Sequence, residues 1–272
     1  MGEIKKSDHF YLIDGSGYIF RAYYALPPLT RKSDGLPVGA VSGFCNMLFK
    51  LLEDTKSREN KEKATHFAVI FDSARKNFRN EIYSEYKGNR SDAPDDLIPQ
   101  FEYIRKSVLA FNLPSIELIN YEADDLIATY VEQILNKGAK VTIVSSDKDL
   151  MQLFRKNVRI YDPMKNKFIT DDDVVKKFGV KPDKVIEVQA LAGDSTDNVP
   201  GVPGIGIKTA AELIKEYGNL ENLLKNAKKI KQNKRRETLI ENKDKALISK
   251  KLVTLKKDVP VRSNIDEFEL KQ

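Results

Sequence analysis

Nine acidic residues stand where a parallel α/β sheet would gather them: Asp14, Asp72, Glu122, Asp124, Asp125, Asp147, Asp149, Asp194 and Asp197. Asp14 closes the apolar run HFYLIDG, Asp72 closes HFAVIFD, and Asp147 and Asp149 follow VTIVSS. In open α/β sheets, sites form outside the carboxyl ends of the strands, so these acids are expected to converge there. So many like charges do not stay ionised together without something positive among them. With two His and one Cys in the whole chain, nitrogen and sulfur ligands are scarce. The partner that fits is a hard, oxygen-loving cation, Mg²⁺ or Mn²⁺, and the chemistry is metal-assisted reaction at a phosphate.

The elements that must position these acids are visible as an alternation of apolar runs. Strands are predicted at 9–14, 66–72, 140–145 and 158–161, with a weaker one at 115–119. Between them, AVSGFCNMLFKLLEDTK, PDDLIPQFEYIRKSVLAFN and EADDLIATYVEQILNKG carry apolar residues at helical spacing. Such alternation predicts an α/β fold with a mainly parallel central sheet flanked by helices. After about residue 172 the pattern becomes short helical stretches broken by Gly and Pro: DDDVVKKFG, PDKVIEVQALAG, IKTAAELIKEYG and NLENLLKNA. The expected division is an α/β core over 1–175 and a helical part over 176–272, joined without a low-complexity linker into one body.

Composition narrows the function classes. The 272 residues are 41% hydrophobic and 32% charged, which suits a soluble globular chain with an adequate core. The single Cys45 lies in an apolar stretch and reads as a packed thiol in a reducing compartment. No apolar run approaches a membrane span, Asp14 interrupts any signal-peptide pattern, and Lys6 stands where N-myristoylation needs Ser or Thr. A cytoplasmic protein is the expectation. Net charge is +6 although the acids cluster, so the remaining surface is basic, as suits a polyanion gripped broadly and altered locally. The run NAKKIKQNKRRETLIENKDKALISKK reads equally as a solvated lysine-rich surface.

Each motif has an ordinary structural reading beside the chemical one. Glu122, Asp124 and Asp125 begin a helix, where acids favour the positive end of the dipole. Asp147 and Asp149 also suit a helix start, and Asp194 and Asp197 in GDSTDNVPG suit turns. Their joint placement carries the weight. In SARKNFRNEIYSEYKGNRSDAPDD, read as a helix, Arg79, Tyr83, Lys87 and Arg90 fall on one face with Tyr86 beside it. Cations interleaved with aromatic rings suit a single strand of nucleic acid, and the segment near 73–98 reads as a gate over the acid site. NVPGVPGIGIKTAAELIKEYG misses a P-loop because Ile207 separates Gly206 from Lys208. It reads better as two helices joined by a Gly-rich hairpin near 190–217. There Gly201, Gly204 and Gly206 admit a phosphate to the backbone, and Lys208 and Thr209 open the next helix. His9 and His66 precede strands, far from any Cys cluster, which excludes a zinc site and leaves them structural.

Taken in order, LIDGSGYIFRAYYAL, VIFDSARKNFRNEIYSEYKGNR, PDDLIPQ, YEADDLIA, SSDKDLMQL and GDSTDNVPGVPGIGIKTA resemble the 5′ nuclease (flap endonuclease) superfamily, whose core is PIN-like. The resemblance runs from about residue 9 to 260, and is closest to the 5′→3′ exonuclease domain found at the N-terminus of bacterial DNA polymerase I. It implies two Mg²⁺ ions, with Mn²⁺ as substitute, one around Asp14, Asp72, Glu122 and Asp124 and the other around Asp147, Asp149, Asp194 and Asp197, with Asp125 between them. It implies that Lys87 and Arg90, at the base of a helical gateway, act with Asp14 and Asp72 on the scissile phosphate. Arg21 would lie near the bound strand, and the hairpin from Gly201 to Thr209 would be a helix-hairpin-helix gripping duplex, with K⁺ bound there. The implied substrates are DNA with a 5′ flap or a 5′ end at a duplex junction, and RNA-primer/DNA hybrids, handled by a monomer beside the nucleoid. All the family's acidic positions are occupied, so the copy reads as catalytically complete. The chain ends at IDEFELKQ without a polymerase segment, which leaves a freestanding exonuclease and an N-terminal part of a longer protein as equal readings.

The expected reaction is phosphodiester hydrolysis leaving a 5′ phosphate and a 3′ hydroxyl. A structure-specific DNA-binding module is the competing reading, disfavoured because carboxylates that repel DNA serve no purpose in a pure binder. A phosphatase using an Asp nucleophile ranks lower, since DGSG, not D-x-D, follows the first strand.

Overall fold

The computed structural model describes residues 3–56 and 63–271; Met1 and Gly2, the first positions of the N-terminal acylation pattern, lie outside them. Six strands form one sheet: β1 (His9–Asp14), β2 (His66–Ile70), β3 (Ser115–Ile116), β4 (Lys140–Val144), β5 (Val158–Asp162) and β6 (Lys167–Phe168). Their order is β3-β2-β1-β4-β5-β6, and only β5 with β6 is antiparallel. The predicted strands are all present. The sixth, β6, is two exposed residues long and carries no apolar alternation to announce it. The chain lays β2 and β3 on one side of β1 and then β4 on the other, so the strand order reverses beside β1. That reversal opens a crevice at the strands' carboxyl ends.

The strands are buried on both faces, as parallel strands are, and their side chains alternate between two cores. Phe10, Leu12, Ala68, Ile70, Val141 and Ile143 face one core. Tyr11, Ile13, Phe67, Val69 and Val144 face the other. The second core is covered by α1 (Gly15–Ala25), α2 (Gly39–Lys56) and α4 (Gln100–Ala110), with the single turn α3 (Arg79–Ile82) between them in sequence. The first core is covered by α5 (Ala123–Asn136) and runs on into the helical part. That part comprises α6 (Asp171–Phe178), α7 (Val185–Ala192), α8 (Ile207–Tyr217), α9 (Leu220–Lys225), α10 (Asn233–Glu241) and α11 (Lys243–Val253).

Two local features set the crevice. α1 follows β1 without a loop, because the Asp14 carboxylate accepts the Gly17 amide at 2.9 Å as an N-cap. After α11 the chain returns across α5, where the Val259 amide donates to Thr129 Oγ1 at 3.2 Å and the Lys256 amide to Asp125 Oδ1 at 2.8 Å. It ends beside β2, with the Leu270 amide donating to the Thr65 carbonyl at 2.9 Å. Among the described residues no helix is long and apolar enough to cross a membrane.

The segment 73–98 corrects the sequence reading. It contains only the one-turn α3, and Lys87 takes a left-handed conformation with φ of 54°. Arg79, Tyr83, Lys87 and Arg90 therefore do not share a helix face.

Candidate metal centre and nucleic-acid interface

The strand ends bring Asp14, Asp72 and Asp147 to the crevice, because β1, β2 and β4 run parallel in register. The Ala123 amide donates to Asp72 Oδ1 at 2.9 Å, which ties the end of β2 to the start of α5. Ser145 Oγ donates to Asp14 Oδ2 at 2.8 Å, and the Asp149 amide donates to Asp147 Oδ1 at 2.8 Å. Asp124 projects from the first turn of α5, and Asp194 and Asp197 come from the loop between α7 and α8.

Burial and mutual repulsion press on this cluster. Burial, reinforced by Asp72 and Asp147, pushes the Asp14 carboxyl up to about 6 against the opposing bonds from Gly17 and Ser145. Burial, then Asp147, pushes Asp149 up to about 7 despite a hydrogen bond from Gln189. Asp124 is held well above the usual carboxylate range by burial and then by Asp147, Asp14 and Glu122. Asp147 is raised by burial and by Asp197. Asp147 thus feels acids of both expected metal groups.

Asp125 has a different role. It is fully buried, and its carboxylate takes a two-pronged ion pair from Arg79 at 2.7 Å on each side. It also accepts the Glu122 amide at 3.2 Å, reaching back as an acid in the first helical turn does. Arg79, expected to face DNA, is 1% exposed, and its remaining N–H groups donate to the carbonyls of Leu252 and Thr254. Asp125 and Arg79 are therefore removed from the ligand and DNA-contact sets by burial. Glu122 is likewise engaged at both oxygens, by Lys87, Arg79 at 3.2 Å, Tyr86 at 3.1 Å and Asn77 at 3.0 Å. Tyr83 is half-buried against Tyr86, Val199 and Leu252.

Lys87 and Arg90 reach the acids by another route than a helix. The Lys87 amide donates to the Asp197 carbonyl at 2.9 Å. Asn89 Nδ2 donates to the Ser195 carbonyl and Asn198 Nδ2 to the Glu85 carbonyl, both at 2.7 Å. These bonds fasten the gateway turn onto the 194–198 loop. The Lys87 ammonium then pairs with Glu122 and, at 3.5 Å, with Asp197, while Arg90 pairs with Asp197. Lys87 is desolvated, which alone would lower its pKa, yet Glu122 and Asp197 raise it and keep it charged. Lys148, absent from the expected site residues, pairs with Asp194 and holds it below the usual carboxylate range against the cost of burial.

Among the described residues no group of three or more His, Cys, Asp or Glu side chains is arranged to hold an ion as it stands, and Lys87, Arg90 and Lys148 cross-link Glu122, Asp194 and Asp197. Asp14, Asp72, Asp124, Asp147 and Asp149 form no ion pair among the described residues. In this oxygen-only set burial and neighbouring acids push Asp14, Asp124, Asp147 and Asp149 toward protonation, and a hard divalent cation relieves such a cluster. The residues fit such an ion.

A cavity of about 550 Å³ opens beside Asp14 and Asp147, lined also by Tyr18, Phe20, Arg21 and Tyr24. Another of about 590 Å³ lies at the amino ends of β1 and β2, near Lys5, His66 and Leu270, and holds none of the nine acids. At the hairpin, Gly204, Gly206 and Lys208 are exposed and Thr209 is half-buried at the start of α8. Gly201 departs from expectation. It is buried, its amide is already engaged in donating to Ser249 Oγ at 2.9 Å, and a Cβ there would lie 2.5 Å from the Gly193 amide nitrogen. It serves packing, not the phosphate. Both histidines are internal: His9 Nε2 pairs with Thr142 Oγ1 at 2.8 Å, and His66 Nδ1 with Thr65 Oγ1 at 2.7 Å.

A switch-point crevice walled by carboxylates, backed by cations and joined to a helical part is the framework to which the family comparisons apply. Residues 9–179 match the family described as "5′-3′ exonuclease, N-terminal resolvase-like domain", and residues 180–272 match "5′-3′ exonuclease, C-terminal SAM fold". The chain belongs to the 5′-3′ exonuclease family. It is 58% identical over 267 residues to DNA polymerase I of Rhizobium leguminosarum, covering 98% of this chain and 26% of that protein. It is 41% identical over 262 residues to a 5′-3′ exonuclease of Aquifex aeolicus, covering 96% and 86% respectively. The T5 D15 flap endonuclease, crystallised in a pseudo-enzyme-product complex with DNA and metal ions, superposes with a TM-score of 0.74 at 23% identity, covering 91% of this chain and 89% of that one.

Proposed function

We propose that this chain is a divalent-metal-dependent, structure-specific 5′ nuclease that hydrolyses DNA near a 5′ end or a 5′-flap junction, leaving 5′-phosphate and 3′-hydroxyl products. The observation that carries the reading is the convergence of Asp14, Asp72, Asp124, Asp147 and Asp149 at the switch point, with Lys87 and Arg90 fastened beside them. Those five acids, with Asp194 and Asp197 once their lysine and arginine partners turn to substrate, would hold two Mg²⁺ ions, or Mn²⁺ in their place. When bound, the ions would supply an activated water and neutralise charge on the phosphate and the leaving oxygen.

The chain's own groups do the rest. Lys87 and Arg90 can exchange their carboxylate partners for the phosphate and stabilise the charge that grows on it in the transition state. Arg21, Phe20 and Tyr24 line the cavity beside Asp14 and Asp147, where a strand leaving the site would pass. The open amides at the start of α8, with Gly204, Gly206, Lys208 and Thr209, suit the duplex backbone without reading sequence. A K⁺ ion at this hairpin and action on RNA-primer hybrids in the cytoplasm belong to the same proposal. The T5 complex with DNA and metal ions and the Aquifex exonuclease support it.

The test uses a 5′-labelled flap substrate and its single-stranded control, in Mg²⁺ or in EDTA, with product lengths resolved. Metal-dependent cleavage at the junction is the expected result. Tight binding without cleavage in Mg²⁺ and in Mn²⁺ would establish a binding module instead.

A further inference from the structure

Gln189 sits in α7, whose neighbouring residues Val188, Ala190 and Leu191 are apolar and buried. It is itself 3% exposed, yet its side chain leaves the apolar core and reaches the acid cluster, where Nε2 donates to Asp149 Oδ1 at 2.6 Å. At the other end of the same amide, Oε1 is buried and has no hydrogen-bond partner among the described residues. A leucine would fill this place without desolvating an amide. A buried amide oxygen calls for a donor, and Asp149, which accepts from Gln189, cannot be that donor while ionised.

The geometry points to Gln189 as a positioning residue of the acid cluster: Nε2 fixes one oxygen of Asp149, leaving Oδ2 to serve as an ion ligand, and Oε1 accepts from a water in that ion's hydration shell. Hard divalent ions keep several waters when bound by carboxylates, and each such water turns its hydrogens away from the ion toward acceptors. Partners that orient a ligand in this way shift metal affinity without touching the substrate. The inference rests on the proposed divalent-ion reading of the cluster.

The test is Gln189→Leu, with Gln189→Met as a second variant that keeps an unbranched side chain and also lacks the amide. Two readouts are taken on the full chain: Mg²⁺ titration followed by melting temperature without DNA, and the Mg²⁺ concentration giving half-maximal flap cleavage at saturating DNA. In both variants each midpoint should rise about 10–100-fold, with kcat recovered at saturating Mg²⁺ and KM for DNA unchanged. Midpoints equal to wild type in either foldable variant would overturn the inference, as would a loss of turnover that added Mg²⁺ does not restore. If the wild-type protein shows no Mg²⁺-dependent melting shift, the ion-site reading itself fails, which is a distinct result.

Discussion

On the proposed reading, Lys87 and Asp147 are the two side chains most directly engaged in the chemistry. Replacing Lys87 by Ala should lower the cleavage rate by about 10²–10³-fold, the scale of one lost transition-state donor, while duplex affinity stays near wild type in a filter-binding assay. Equal losses of rate and affinity would place Lys87 in binding instead. Asp147→Asn removes the carboxylate that couples to acids on both sides of the crevice, and single-turnover assays should find almost no product. The raised carboxyls also predict a pH dependence of stability. Asp14 and Asp149 have folded pKa values of about 6 and about 7, above the ordinary 3.8. Their contribution is present in full below that ordinary value and is lost as pH rises through 6 and then 7. In EDTA the melting temperature should therefore fall as pH rises from about 4 to about 7, and millimolar Mg²⁺ should reverse most of the fall. A melting temperature that ignores Mg²⁺ across this range would count against a converged site.

At the level of elements, the strand ends are legible because apolar runs terminating in Asp read directly from the chain. The gateway is not. Arg79, Tyr83, Lys87 and Arg90 fit helical spacing, but the turn that holds Lys87 is made by bonds to Ser195, Asp197 and Asn198, more than a hundred residues away. Local periodicity carries no trace of such partners. The doublet Asp124-Asp125 is ambiguous for a related reason, since only the returning tail and Arg79 decide which acid is ion-paired. Lys148 escapes notice in sequence because it lies between two acids whose own spacing is the stronger signal. The Arg79–Asp125 clamp should be structural: either Arg79→Ala or Asp125→Ala should cost about 3–5 kcal/mol by chemical denaturation, since each leaves a buried charge alone. Folded Arg79→Ala should keep its salt-dependent DNA affinity. The hairpin separates packing from contact in the same way. Gly201→Ala should destabilise the fold, since φ is 58° and the added Cβ meets backbone. Gly206 has an ordinary φ, and a Cβ added there would meet nothing within 4 Å, so Gly206→Ala should melt like wild type and lose only duplex affinity.

For the molecule as a whole, a net charge of +6 predicts duplex binding that weakens steeply with salt. Lys208→Ala should reduce the slope of log affinity against log salt by about one without changing sequence preference. The two matched families meet near residue 180, yet the gateway of the first is held by the loop and tail of the second. Synthesis from the ribosome is vectorial, at about 5–20 residues per second. The five acids without ion pairs emerge by residue 149, but the groups that seat Arg79 and Lys87 arrive only with residues 195–256. A nascent chain should thus carry its acids for several seconds without a working gate, and arrested chains of increasing length should begin to cut flaps only once Lys256 has left the exit tunnel. Translation order itself would keep the nuclease silent until it is folded.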